Sequence, residues 1–334
     1  MPTTAKAAAP FPSSGGGGPV RAAVPVARTG LLLVAVSIAV FTATDVLPGD
    51  AASVRATPGA TQEQVAELRA QLGLDRPAWR RYADWAGGLL TGDAGTSLVN
   101  GRPVADAVAQ RGAATTALVG GALLVAAPLM LLLGWWAGAA RRTRGVVTAV
   151  LTGAAAIPTA VVASGLAALL SGALGLLPAV SLLAPGVSPL RSPELLVLPV
   201  LSAALPTALF GAGLLSGAVA DTLRRPHVAD ARRRGRPAWA VACVDVLPFL
   251  LAPFARVVAI SAGGLIAATT VVETLFGYPG LGSLLVSAVA ARDVPVVQAI
   301  AMLAALVVLA GLLAADLVAA AVSPRRTGPL GEAR

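Results

Sequence analysis

One histidine, His227, and one cysteine, Cys243, are nearly all this chain holds for nucleophilic, metal-ligating or thiolate chemistry. A lone histidine excludes a His-pair metal site and leaves His-based catalysis without material. A lone cysteine excludes an intrachain disulfide or a thiolate cluster. Lys6 is the only lysine and stands in a polar leader. A Walker A loop, whose lysine follows a glycine-rich turn, is therefore absent, and the chain does not hydrolyse ATP by that route. The sequence predicts no catalytic residue, no metal and no cofactor. What remains are charges at special places: a basic stretch between Pro226 and Pro253, Arg256 within an apolar run, and Glu273 at the far end of that run.

The elements that must position these charges are read from hydropathy. The chain is 56% hydrophobic and only 12% charged, and residues 113–140 and 146–184 carry no charged side chain. Apolar stretches of about 18 residues or more read as membrane-spanning helices. The expected fold is all-α and polytopic with six transmembrane helices. The first covers residues 29–46, four more lie at about 116–139, 146–170, 195–218 and 254–274, and the last lies at 294–322. The net charge of +9 is no nucleic-acid signature, because the arginines sit at span ends. Arg141, Arg142 and Arg144, then Arg224 and Arg225, then Arg325 and Arg326 mark alternate ends, which by the positive-inside rule places both termini in the cytoplasm.

Around the spans, residues 1–28 read as a disordered cytoplasmic leader rich in Ala, Pro, Ser and Gly, and 327–334 as a cytoplasmic tail. Residues 47–114 form an extracytoplasmic helical section, ahead of a membrane core at 115–326. Thr61 and Gln64 have capping-box spacing, and Gly73 ends the helix they start. Pro77 suits the first turn of a second helix, whose Trp79, Tyr82 and Trp85 fall on one stripe. That stripe reads as packing against the membrane domain or headgroups, with an aromatic ligand platform as the alternative. Pro158, Pro199 and Pro206 inside spans read either as kinks in helices that gate a pore or as residues that only shape packing. Arg256 reads either as a snorkelling side chain or as part of a solute path. Glu273 either lines the external mouth or caps the polar interface.

The basic loop, about residues 221–253, is long for a crossing between spans and has a helix–glycine–helix rhythm. Pro226 can open one helix, Gly235 can end it in a left-handed conformation, and Pro237 can open the next. A stiff pair of this kind transmits a rigid push. Arg232, Arg233, Arg234 and Arg236 serve either this surface or topology near anionic lipid.

Three elements in order, LPGD (47–50), LGLDRPAWRRYADW (72–85) and LLTGDAGTS (89–97), resemble the first permease subunit of dipeptide, oligopeptide and nickel ABC importers. That family places PGD, GLD-x-P and GD-x-G-x-S elements before its second span. GLLP (175–178) resembles its loop after span three. VVETLFGYPGLGSLLVSAVAARDVPVV (271–297) is similar to its segment with a Glu, a Phe, PG-x-G and RD-x-P. The end, Asp316 through SPRR, resembles its closing D…DPR. The likeness covers nearly the whole chain after the leader. The basic loop is similar to the EAA loop, E-A-A-x-x-x-G with a downstream I-x-L-P. Ala229, Asp230 and Ala231 hold the first places, Gly235 the glycine, Leu247 and Pro248 the end, and Pro253 a proline of the peptide subgroup. Ala229 departs from the family's Glu, Asp245 from an apolar position, and DVLPFLLA from a basic run.

The resemblance implies that Ala229, Asp230, Ala231, Gly235, Pro248 and Pro253 belong to an ATPase-docking loop. It also implies that Glu273, Phe276, Pro279, Gly280 and Gly282 lie at the external mouth. Implied partners are a second homologous permease, two cytoplasmic ATP-binding subunits and an extracytoplasmic substrate-binding protein, with membrane lipid around them. The implied substrate is a peptide, a nickel complex or another small solute. The rivals are a secondary transporter, which needs ionisable groups inside its spans, and a polytopic membrane enzyme.

Overall fold

The computed structural model describes residues 18–46, 60–71, 75–140, 142–182 and 189–322. The leader before Gly18, the LPGD element, Gly73, Arg141, the SPRR element and the tail lie outside the described residues. The described chain is all-α. Helix α1 spans Gly18–Val46, α2 Gln62–Gln71 and α3 Ala78–Thr91. They are followed by α4 (Val104–Ala139), α5 (Arg144–Ala155) and α6 (Thr159–Leu166). Then come α7 (Glu194–Leu223), α8 (Pro226–Arg233), α9 (Ala238–Phe276), α10 (Leu281–Ala290) and α11 (Val294–Val322).

Five of these, α1, α4, α7, α9 and α11, are long and apolar enough to cross a membrane. The expected third span is instead a broken pair: α5 and α6 meet at an angle of 84°. Pro158, which has no N–H and forces the residue before it out of the α region, stands at the N-cap of α6 and sets the break. The count reaches six only when the pair is taken as one span. In α7 the helix runs unbroken through Pro199 and Pro206.

Two helices begin earlier than the hydropathy suggests. Helix α1 starts at Gly18, inside the stretch read as a disordered leader, where alanines favour helix. Helix α9 starts at Ala238, so the second half of the basic loop and the fifth span form one rod of 39 residues. At 1.5 Å per residue that is about 58 Å, well beyond a hydrocarbon core of about 30 Å. The rod absorbs Pro248 through a widened π-helical segment, Val241–Val246, just before it.

Packing centres on α4 against α7. Leu118, Ala122, Ala126 and Met130 recur every four residues on α4 and are fully buried. Toward the end of α4, Gly134 and Gly138 let the backbones close. A Cβ on Gly138 would lie 2.7 Å from that of Val219, and one on Gly134 3.1 Å from that of Leu215. Helix α11 packs against both α1 and α9.

The section between α1 and α4 folds as its caps direct. Thr61 N–H donates to Gln64 Oε1 at 2.9 Å and Gln64 N–H to Thr61 Oγ1 at 3.3 Å, a reciprocal capping box. Pro77 is the N-cap of α3, and Gly92, at φ +86°, ends it. Two of the three aromatics pack on α1: Phe41 lies 5.5 Å from Tyr82 and 5.7 Å from Trp85, centroid to centroid. Tyr82 Oη also bonds Ser37 Oγ at 2.8 Å, and Arg81 pairs with Asp45 at 2.7 Å. Trp79 points away and is 66% exposed.

Candidate functional site

Two sets of residues singled out in the sequence lie at opposite ends of α9. At its C-terminal end, Glu273 is completely buried. Helix α9 closes at Gly277 in the left-handed region (φ +65°), a turn that sends the chain back toward the bundle. After Pro279 the chain enters α10, whose first N–H groups have no intrahelical acceptor. The Glu273 carboxylate supplies one: Oε2 accepts from Ser283 N–H at 3.0 Å, and the Gly282 N–H bonds the same carboxylate. Its Oε1 accepts from the Thr115 hydroxyl at 2.7 Å, and Thr115 Oγ1 in turn accepts from Leu281 N–H at 2.7 Å. An anion at a helix N-terminus also meets the favourable end of the helix dipole. One carboxylate on α9 thus ties α4 to the start of α10.

The glycines around it are there for space. A Cβ on Gly280 would overlap the Glu273 carboxylate, and one on Gly282 would come within 2.5 Å of the Thr270 Cα. Gly282 therefore sits in the first turn of α10, while the turn itself is made by Pro279 and Gly280. Tyr278 is fully buried, and its hydroxyl donates to Ala114 O at 2.9 Å. Burial, and secondarily the Glu273 charge, push the phenol above its ordinary range, so it stays protonated to make this bond.

A second carboxylate closes the same end. Asp293, 4% exposed, accepts from Ser97 Oγ through Oδ2 and from Leu98 N–H through Oδ1 at 2.9 Å. Ser97 sits in a tight loop held by Gly95 (φ +78°) and Gly101 (φ +70°), with Ser97 N–H donating to Arg102 O at 2.9 Å. The GD-x-G-x-S and RD-x-P elements, remote in sequence, are one interlocked unit. The link that follows GLLP is tied to the ends of α9 and α7: buried Ser181 donates its N–H to Phe276 O at 2.8 Å and its hydroxyl to Leu195 O at 2.7 Å.

Of the five residues assigned to a mouth, Glu273, Phe276, Gly280 and Gly282 are buried and Pro279 is partly covered. The structure gathers them into one turn, with the carboxylate directed at α10. Thr115, Tyr278, Ser97 and Asp293 complete that arrangement. Ser97 and Asp293 lay inside motifs already quoted, whereas nothing in the sequence distinguishes Thr115 from other span threonines.

At the other end of α9, α8 starts with Pro226 in its first turn and ends before Gly235, at φ +75°. Gly235 N–H donates to Arg232 O at 3.0 Å and Arg236 N–H to Ala231 O at 3.2 Å, satisfying the last carbonyls. Val228 and Ala231 are buried in a cluster with Leu215, Val219, Val246 and Leu250, which fixes the loop to α7 and α9. Asp245, the departure from an apolar position, pairs with Arg236 at 2.9 Å, and His227 Nε2 bonds Asp245 O at 3.0 Å. His227 thereby ties α8 to α9, and Arg236 ties the turn between them to α9. Ala229, Asp230 and Gly235 are exposed, as are Arg232 to Arg234 and Trp239, the last at 71%. Ala231 faces inward, Pro248 is exposed on the flank of α9, and Pro253 is partly covered further along it.

Residues 130–328 match the family model of the binding-protein-dependent transport system inner membrane component, and residues 24–118 match the N-terminal model of the same membrane component. The chain is 30% identical over 292 residues to the glutathione transport system permease protein GsiC of Escherichia coli (strain K12), covering 86% of this chain and 92% of that one. It is also 30% identical over 297 residues to the probable peptide ABC transporter permease protein y4tP of Sinorhizobium fredii (strain NBRC 101917 / NGR234), covering 87% and 93%. With both family models matched in order and relatives aligned nearly end to end, the chain belongs to the inner-membrane permease subunits of binding-protein-dependent ABC importers.

Proposed function

We propose that this permease moves short peptides or a closely related small solute, as one of two homologous membrane subunits. A permease of this family works with ATP-binding and substrate-binding partners. In this reading the α8–Gly235–α9 surface lies in the cytoplasm and receives one of two ATPase subunits. The turn at residues 276–283 faces the outside, where a loaded binding protein delivers the solute. Ala229, Asp230, Gly235 and Trp239 present the docking face, Ala231 anchors it, and Pro248 and Pro253 shape the rod behind it. The observation that carries this is the continuity of α9. A docking surface pinned to its first residues and the Glu273 turn at its last are ends of one 39-residue helix. Movement imposed at one end therefore reaches the other as a rigid displacement. The substrate class rests on the relatives, one named for glutathione and one for peptides.

Orientation is testable directly. With Cys243 replaced by serine, a cysteine at Arg233 should react with a membrane-impermeant maleimide only after cells are opened. A cysteine at Ser287, exposed on α10, should react in intact cells. Labelling of the Arg233 site from outside would reverse the assignment.

A further inference from the structure

We infer that the cleft between α1, α9 and α11 is a binding site for the phosphate headgroup of an anionic phospholipid. Arg28 of α1, Arg256 of α9 and Asp316 of α11 line this cleft together. Among the described residues none of the three has a hydrogen-bond or ion-pair partner. They sit at one depth. Arg256 lies about 30 Å along the helix from Phe276, and Arg28 about 27 Å from Val46. Asp316 lies about 33 Å from Val294 on the same scale. One hydrocarbon thickness is about 30 Å, so all three mark the membrane boundary on the side of the basic loop.

The cleft is amphipathic in the same sense as a lipid. Leu32, Ile260 and Leu309, one or two helical turns nearer the membrane centre, form its apolar part. Two guanidinium groups and one carboxylate leave a single positive charge, which one phosphodiester neutralises. Arginine's planar fork suits phosphate oxygens in particular. Headgroup at the boundary and acyl chains toward the centre is the only pose that satisfies both halves. Basic pockets between spans hold anionic headgroups in this way.

The test is native mass spectrometry of the purified full-length permease complex, with phosphatidylglycerol, phosphatidylcholine or inorganic phosphate added. Wild type should retain one phosphatidylglycerol under activation that strips phosphatidylcholine. R28Q/R256Q should lower the phosphatidylglycerol affinity about twenty-fivefold, each arginine near the surface contributing about fivefold. Arg191→Gln, an exposed arginine at the other end of the bundle, should change nothing. Equal retention by wild type and double variant, equal retention of both lipids, or displacement by inorganic phosphate would each overturn the site. If the double variant fails to assemble, Asp316→Asn decides. Removing the competing carboxylate must raise phosphatidylglycerol affinity, and an unchanged or lower value overturns the proposal.

Discussion

Glu273→Ala is expected to lower the stability of the permease by an amount on the order of 3–5 kcal/mol. The alanine leaves the Thr115 hydroxyl and the N–H groups of Gly282 and Ser283 buried without an acceptor, at about 1–3 kcal/mol each. It also removes the anion from the start of α10. Glu273→Gln should fall between, because it keeps one acceptor oxygen and turns an NH2 group toward a donor. Gly282→Ala should be at least as damaging as Glu273→Ala, since its Cβ would meet the Thr270 backbone at 2.5 Å and backbone cannot step aside. Thermal unfolding of the purified complex measures the series. A Glu273→Ala protein melting with wild type would show that the carboxylate does not hold this end together.

The second large effect falls on coupling, at the other end of the rod. Gly235 has φ +75° and open space around its Cα. A side chain there suffers from backbone conformation alone, at about 1–3 kcal/mol. Gly235→Pro forces φ to about −65° and deletes the N–H that donates to Arg232 O. Gly235→Val sets a β-branched residue where L residues seldom go. Both should reduce ATP-driven uptake about tenfold or more, the factor that a distortion of 1.4 kcal/mol already produces. Assembly of the membrane subunits should survive, because the underside of α8 rests on Val228 and Ala231 and is untouched. Gly235→Asn, which tolerates the left-handed region, should keep most activity. Full uptake by the proline variant would remove the loop from the coupling path.

Much of this molecule was legible in its residues, for reasons of period and punctuation. Long uncharged runs announce spans because hydrocarbon tolerates little else, and Thr61 with Gln64 announces a helix start because the two groups satisfy each other's backbone. Gly235 was readable as a left-handed stop. Other features depend on partners that no local pattern names. Pro158 announces a bend but not its size, and the 84° angle appears only in the folded chain, where α5 and α6 each pack on α7. The Glu273 turn needs Thr115 from α4, and Asp293 needs Ser97; these pairings exist only once the chain is folded. Asp245 looked like a defect in an apolar position. In three dimensions it is the partner of Arg236.

In the proposed function, energy enters through the Pro226–Pro253 surface from separate ATPase subunits. Transport in proteoliposomes tests it most directly. This chain alone should neither hydrolyse ATP nor accumulate a labelled short peptide on a proton or sodium gradient. With its second permease and ATP-binding subunits, it should accumulate the peptide only with ATP inside the cytoplasmic compartment, faster with loaded binding protein outside. Gradient-driven accumulation by the chain alone would make it a secondary transporter instead.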